Sequence, residues 1–128
     1  MDKQTSPQEA IPELAVAVPQ DAAALARALD LEAQTVSTWL TQGLGIVARV
    51  GSQIVGLAHL VDDGGHADVT DLALTTPDDA DVVAALIGGA EQIATELESR
   101  VLVVSGLKAS PGPAYHTTTV AGFVYYLS

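Results

Sequence analysis

The sequence predicts an α+β domain, with strands and helices interleaved along the chain. Three observations carry that expectation. Apolar residues alternate with period two in several short runs, whereas one long segment repeats them at helical spacing. Of the 128 residues, 48% are hydrophobic, enough to fill a core and too many for a disordered chain. The length fits one domain, expected over residues 13–128 behind a loose polar tail, 1–12, that contains Pro7 and Pro12.

In chain order, Leu14, Val16 and Val18 alternate with Ala15 and Ala17 as a first strand. Pro19-Gln20-Asp21 interrupts it, and Asp21 is placed to cap a helix whose apolar face is Ala22, Leu25, Ala26 and Leu29. A second helix is expected from Leu31 to Thr41, burying Leu31, Thr35, Val36, Trp39 and Leu40 and ending at Gly43. Two alternating runs, Leu44 to Val50 and Ile54 to Leu60, flank Gly51-Ser52, which suits a two-residue hairpin turn. Ala67 to Leu74 continues the pattern after a glycine loop, with Val69 and Ala73 on one face and Leu72 and Leu74 on the other, as in a covered central strand. Thr76-Pro77 then reads as the cap and first residue of the longest helix. Its buried stripe is Val83, Leu86, Ile87, Ala90, Ile93, Ala94 and Leu97. The pair Gly88-Gly89 inside it costs about 1 kcal/mol per glycine unless a close approach requires them. Val101 to Val104 is a buried strand, residues 108–119 are irregular, and Phe123 to Leu127 is the last strand.

Charge narrows the partners. Sixteen acids against five bases give a net charge of −11. Nucleic acid and anionic membrane surfaces demand lysine and arginine against phosphate, so neither is an expected partner. The absence of cysteine removes disulfides, thiolate metal sites and a thiol nucleophile. No apolar run reaches the roughly 20 residues of a membrane span. Met1-Asp2-Lys3-Gln4 lacks the order of a signal peptide, and a cytoplasmic location is expected.

From Leu14 to Leu127 the order of elements resembles the GCN5-related N-acetyltransferase (GNAT) superfamily. Pro19-Gln20-Asp21-Ala22 resembles the family's entry to its first helix. The run Val47 to Ala58 resembles its second and third strands, Asp71-Leu72-Ala73-Leu74 before Pro77 its fourth. Ala90-Glu91-Gln92-Ile93-Ala94 resembles the end of its third helix, and Gly122-Phe123 the pair before its sixth strand. The resemblance implies a central mixed, mostly antiparallel sheet with helices on both faces, in the order β-α-α-β-β-β-α-β-α-β. It also points to three departures. The family's glycine-rich, basic loop, which holds the pyrophosphate of acetyl-CoA on helix amides, is replaced by Thr76-Pro77-Asp78-Asp79-Ala80-Asp81-Val82. Those carboxylates are expected to cap the helix themselves. Two like charges about 4 Å apart cost about 1 kcal/mol even in bulk water, so a polyanion is opposed there. Where the family often keeps a tyrosine acid, this chain has Thr118, with Tyr115 or His116 as substitutes. No seventh strand is expected, so either the sheet closes without it or a strand edge stays open for a partner.

The resulting expectation is a degenerate GNAT-fold protein without ordinary acetyl-CoA binding: a non-catalytic regulatory or accessory module that associates with itself or another protein through the C-terminal strand, with no cofactor and no metal. The alternative is an active N-acyltransferase using acetyl-CoA. In it, backbone groups of Leu72 and Leu74 hold the thioester, and Asp71, His116 or Tyr115 move protons. A small-ligand carrier using the same cleft is a third reading. Asp68 and Asp71 otherwise read as solvated acids and His59, on the face of Val55 and Leu57, as a satisfied sheet residue. His66 and His116 stand too far from it in sequence to suggest a metal site. Tyr125 and Tyr126 point to opposite faces of the last strand, one of them a candidate interface anchor.

Overall fold

The alternating runs form strands, and hairpins and a helical crossover join them into one sheet. The structure, a computed structural model, describes residues 12–62, 65–76 and 79–105, with the backbone alone at 116–117 and 123–126. Its elements are β1 (Glu13–Ala17), α1 (Ala22–Leu29), α2 (Ala33–Gln42), β2 (Leu44–Val50), β3 (Gln53–Asp62), β4 (His66–Leu74), α3 (Ala80–Glu96), β5 (Val101–Val104), β6 (His116–Thr117) and β7 (Phe123–Tyr126). They build a seven-stranded sheet in the order β1-β2-β3-β4-β5-β7-β6. Every pairing is antiparallel except β4 with β5, which α3 joins as a crossover. The expected α+β class and mixed sheet are present. A helix between β5 and β6 falls outside the described residues, as does the N-terminal tail.

Helices cover both faces, and each face has its own core. Helix α3 buries Leu86, Ile87 and Ala90 against Ile46, Ala58, Leu60, Val69, Leu102 and Val104. Helices α1 and α2 bury Leu25, Val36 and Leu40 against Val47 and Leu57. Gly89 explains why α3 tolerates a helix-interior glycine: a Cβ there would stand 2.7 Å from the Leu14 side chain of β1. Gly88 has no such reason, since its added Cβ would meet nothing within 4 Å.

Several boundaries differ from the sequence reading, each for a local reason. Asp21 does not cap α1 with its side chain; the carboxylate turns back to accept the Val18 N–H at 3.1 Å. Leu31 lies outside α2, which starts at Ala33. Helix α3 starts at Ala80, so Thr76 is not its cap; the cap is Asp79. At the other end, Leu97 falls past the last helical turn and is 46% exposed. The largest correction concerns the last strand. A two-residue strand, β6, precedes it, so Phe123–Tyr126 is the seventh strand and is paired on both sides, by β5 and by β6. It is not an open edge.

Two β-bulges set the faces. Ala48 pairs Gly56 while Arg49 pairs Ile54, leaving Val55 as an extra residue on β3. Val55 therefore packs on the α3 face, away from Leu57 and His59. On β4, Asp71 pairs His59 while Val69 pairs Leu60, so Thr70 is the extra residue. That insertion overturns the expected faces of β4. Val69, Leu72 and Leu74 share the α3 face, and Ala73 packs on the other.

Candidate functional site: the opening between two parallel strands

The bulge at Thr70 does two things at once. Pairing between β4 and β5 runs from His66–Val101 to Val69–Val104 and closes with the Ser105 N–H donating to the Val69 carbonyl at 2.9 Å. Beyond it, no described residue pairs with β4 on that side. The Thr75 N–H donates to the Val55 carbonyl at 3.0 Å, which fixes the alternation of the ladder with β3. By that alternation Ala73 and Asp71 bond toward β3, and the N–H and C=O of Leu72 and Leu74 face the gap that β5 has left. Leu72 and Leu74 are thus placed to offer backbone groups to an extended ligand. Their side chains pack into the α3 core.

The same extra residue turns two consecutive side chains, Thr70 and Asp71, toward His59 on the α2 face. His59 Nδ1 lies 2.8 Å from Thr70 Oγ1, and the Thr70 hydroxyl donates to Asp71 Oδ2 at 2.9 Å. The His59 side chain is 6% exposed and stacks on Trp39 of α2, with ring centroids 5.8 Å apart and planes 13° from parallel. Asp71 is the solvent end of this chain, its side chain 42% exposed and Oδ2 3.6 Å from Nδ1. Nε2 of His59 is buried and has no hydrogen-bond partner among the described residues. His59 is therefore only half satisfied, contrary to the sequence reading. The clue was present in the sequence as a change of phase: apolar residues fall at Ala67 and Val69, then at Leu72 and Leu74. A bulge in between is what shifts the parity.

At the start of α3, Asp79 Oδ1 accepts the N–H groups of Asp81 at 3.2 Å and Val82 at 3.3 Å. These amides would otherwise point at an incoming anion. Asp81 adds a second carboxylate to the first turn. The described bases, Arg27, Arg49 and Arg100, lie in α1, in β2 and before β5, and none belongs to this turn. An open cavity of about 420 Å³ beside the end of β4 is lined by Ala28, Ser52, Gln53, Ile54, Val55 and Thr75, none of them charged. Among the described residues nothing there compensates a phosphate.

The other expected residues are dispersed. Asp68 accepts from the Ser105 hydroxyl at 2.8 Å and ties β4 to the end of β5. The backbone of His116 is in β6, three strands from β4, about 14 Å of sheet at the usual strand spacing. Tyr115 and Thr118 lie outside the described residues, and Pro77 and Asp78 do as well. Among the described residues no group of three or more His, Asp or Glu is placed to hold a metal ion, and no helix is long and apolar enough to cross a membrane.

A seven-stranded sheet opened between parallel β4 and β5, with helices on both faces, is the architecture of GNAT-family acetyltransferases. Solved structures share it. The chain superposes on the GNAT-family N-acetyltransferase YhbS of Escherichia coli, solved with CoA, with a TM-score of 0.70 at 20% identity, covering 98% of this chain and 86% of that one. It matches yncA of Salmonella typhimurium, solved with its cofactor acetyl-CoA, with a TM-score of 0.66 at 11% identity, over 92% and 95% of the two chains. A GCN5-related N-acetyltransferase from Rhodopseudomonas palustris gives 0.61 at 20% identity, over 91% and 96%. No protein-family model and no curated protein sequence matches the chain. At these identities the likeness establishes the fold.

Proposed function

We propose that this chain carries the acetyltransferase fold without ordinary acetyl-CoA binding and serves as a non-catalytic accessory or regulatory module that works through contact. The observation that carries this reading is the Asp79 carboxylate on the α3 amides, in the place where a diphosphate would need them. A bound diphosphate would have to displace an anion already held there and sit beside Asp81, with no described base nearby. The contact surface is better sought at β1 than at the C-terminal strand. β1 is the outer strand of the sheet at that end, and Leu14, Val16 and Val18 are 40%, 55% and 47% exposed.

One observation favours a second reading, an acyl-thioester-dependent N-acyltransferase: the Leu72 and Leu74 backbone groups face the gap beside β5. Those groups can hold a pantetheine arm without touching the diphosphate. Calorimetry with two ligands separates the readings. No heat with acetyl-CoA or with S-acetylpantetheine, up to millimolar concentration, agrees with the module. Binding of the uncharged pantetheine thioester alone agrees with the second reading. Micromolar binding of acetyl-CoA defeats the exclusion by Asp79.

A further inference from the structure

The outer strand β1 fixes which of its backbone groups stay free. Following the ladder alternation outward from the Thr75–Val55 bond, Gly56 and Ala58 bond toward β2, and Ala48 and Ile46 toward β3. Val47 and Gly45 then bond toward β1, where their partners Ala15 and Ala17 direct their own backbone groups back to β2. The N–H and C=O of Leu14 and Val16 therefore face outward, and these two residues also carry the exposed apolar side chains of the strand. The free ladder is bounded on both sides. Pro12 has no N–H to give. Val18 has neither group free: its N–H donates to Asp21 Oδ2 at 3.1 Å, and its carbonyl accepts the Asp21 N–H at 2.8 Å.

We propose that the occupant of this edge is a second copy of the chain, its β1 antiparallel to the first across a two-fold axis at Ala15, so that the two sheets become one. The proposal rests on the contact reading and names what the contact meets. In this register Leu14 exchanges backbone bonds with the partner's Val16, and Val16 with the partner's Leu14, which leaves no free N–H or C=O on either strand. An axis at Leu14 sets Pro12 against Val16 and strands the Val16 carbonyl; an axis at Val16 sets Leu14 against Val18, whose groups are taken. On the α3 face, Leu14 and Val16 of each copy stand beside those of the other. A groove of about 180 Å³ between β1 and α3, lined by Leu14, Val16, Ile46, Gly89 and Ile93, runs along that edge. Charge is sparse there. Glu13 is the one charged residue of β1 and pairs across the ladder with Arg49, an opposite-charge neighbour, and Glu96 is the one acid lining the groove. The antiparallel arrangement keeps the two Glu13 residues at opposite ends of the seam. The net charge of −11 is thus carried outside the strip where backbone groups are free. A two-fold contact closes on itself, giving a dimer and no filament. The strip is short, so the dimer is expected to depend on concentration.

The chain has no cysteine, so a single introduced one reports the seam. Ala15→Cys puts a thiol at an exposed position directly opposite its own copy, in the non-hydrogen-bonded pair where Cβ atoms come closest. Under mild oxidation of the concentrated protein it is expected to give a disulfide-linked dimer of doubled mass. It should do so faster than Thr41→Cys, exposed near the end of α2, and faster than Val16→Cys. Adding Val16→Lys to Ala15→Cys should remove the cross-link. Hydrogen exchange on the wild-type chain gives a second reading. The Leu14 and Val16 amides are expected to exchange freely in dilute solution and to slow on concentration, with Ala15 and Ala17 protected throughout. Cross-linking through Ala15→Cys no faster than through Thr41→Cys overturns the proposal, as do Leu14 and Val16 amides indifferent to concentration. Faster cross-linking through Val16→Cys overturns it too, because the axis then lies elsewhere. Calorimetry with acetyl-CoA answers the separate question. Silence there without a cross-link leaves the contact module with another occupant, whereas coenzyme binding by a chain that still cross-links at Ala15→Cys removes the non-catalytic reading and keeps the dimer.

Discussion

Asp79 caps the first turn of α3 with its own side chain. Its Oδ1 satisfies two amides of the first turn, and removing such a cap costs about 1 kcal/mol, within a range of about 0.5–2. Asp79→Ala is therefore expected to lower the unfolding free energy by that amount, read in urea as a lower midpoint with an unchanged slope. The same substitution frees the amides, so any gain of acetyl-CoA affinity should appear in this variant first. The adjacent glycines of α3 give a sharper contrast. Gly88 lies on the exposed side, and nothing stands within 4 Å of an added Cβ, so Gly88→Ala is expected to stabilise by about 0.5–1 kcal/mol. Gly89→Ala would bring its Cβ to 2.7 Å from Leu14 Cδ1, and the shift that Leu14 must make offsets the propensity gain. Thermal unfolding of the two variants side by side tests this. An equal gain in both would contradict the close approach of β1 to α3.

At the scale of elements, what decides the fold is phase. The stripe of α3 was legible because Leu86, Ile87, Ala90 and Ala94 keep helical spacing, and the structure buries all of them. Leu86 is fully buried at the centre of that core, so Leu86→Ala should cost about 2–5 kcal/mol in chemical denaturation. A loss below 1 kcal/mol would mean that α3 does not pack on the sheet as described. The strands were legible as strands but not as faces, since period two predicts a face only while the count is unbroken. Val55 and Thr70 each add one residue, and everything beyond them changes sides. Reading β4 without its bulge put Val69 with Ala73 and left Asp71 an isolated acid. With the bulge, Asp71 meets Thr70 and His59, a triad assembled from β3 and β4 that spacing along the chain does not reveal. Asp79 was legible for the opposite reason. It belongs to a local carboxylate run before an apolar helix, and capping is a short-range interaction. The cap itself moved from Thr76 to Asp79 because a side-chain oxygen two and three residues before the amides competes better than one farther back.

For the whole molecule, the proposed role as a contact module sets a strong net charge against an exposed apolar edge. A net charge of −11 opposes pairing between copies, yet β1 offers an outer strand whose Leu14 and Val16 side chains, with Val18 just past its end, are substantially exposed. It carries none of the lysines that natural edges use to prevent pairing, and its one charge is Glu13 at the start. Hydrophobic burial favours association while electrostatics resists it, and only the second is screened. The screening length falls from about 30 Å at 0.01 M salt to about 8 Å at 0.15 M. Self-association through β1 should therefore strengthen as salt rises over that range, as measured by light scattering on a gel-filtration column at fixed protein concentration. Val16→Lys places a charge on the exposed apolar face of the edge and should leave a monomer at every salt concentration, without a loss of stability, because Val16 is 55% exposed. A wild-type chain that is monomeric throughout would point to a different protein as the occupant of this edge, to be sought among basic partners. Association that weakens with salt would reverse the picture, since it would require attraction between unlike charges that two copies of this chain are poorly equipped to supply.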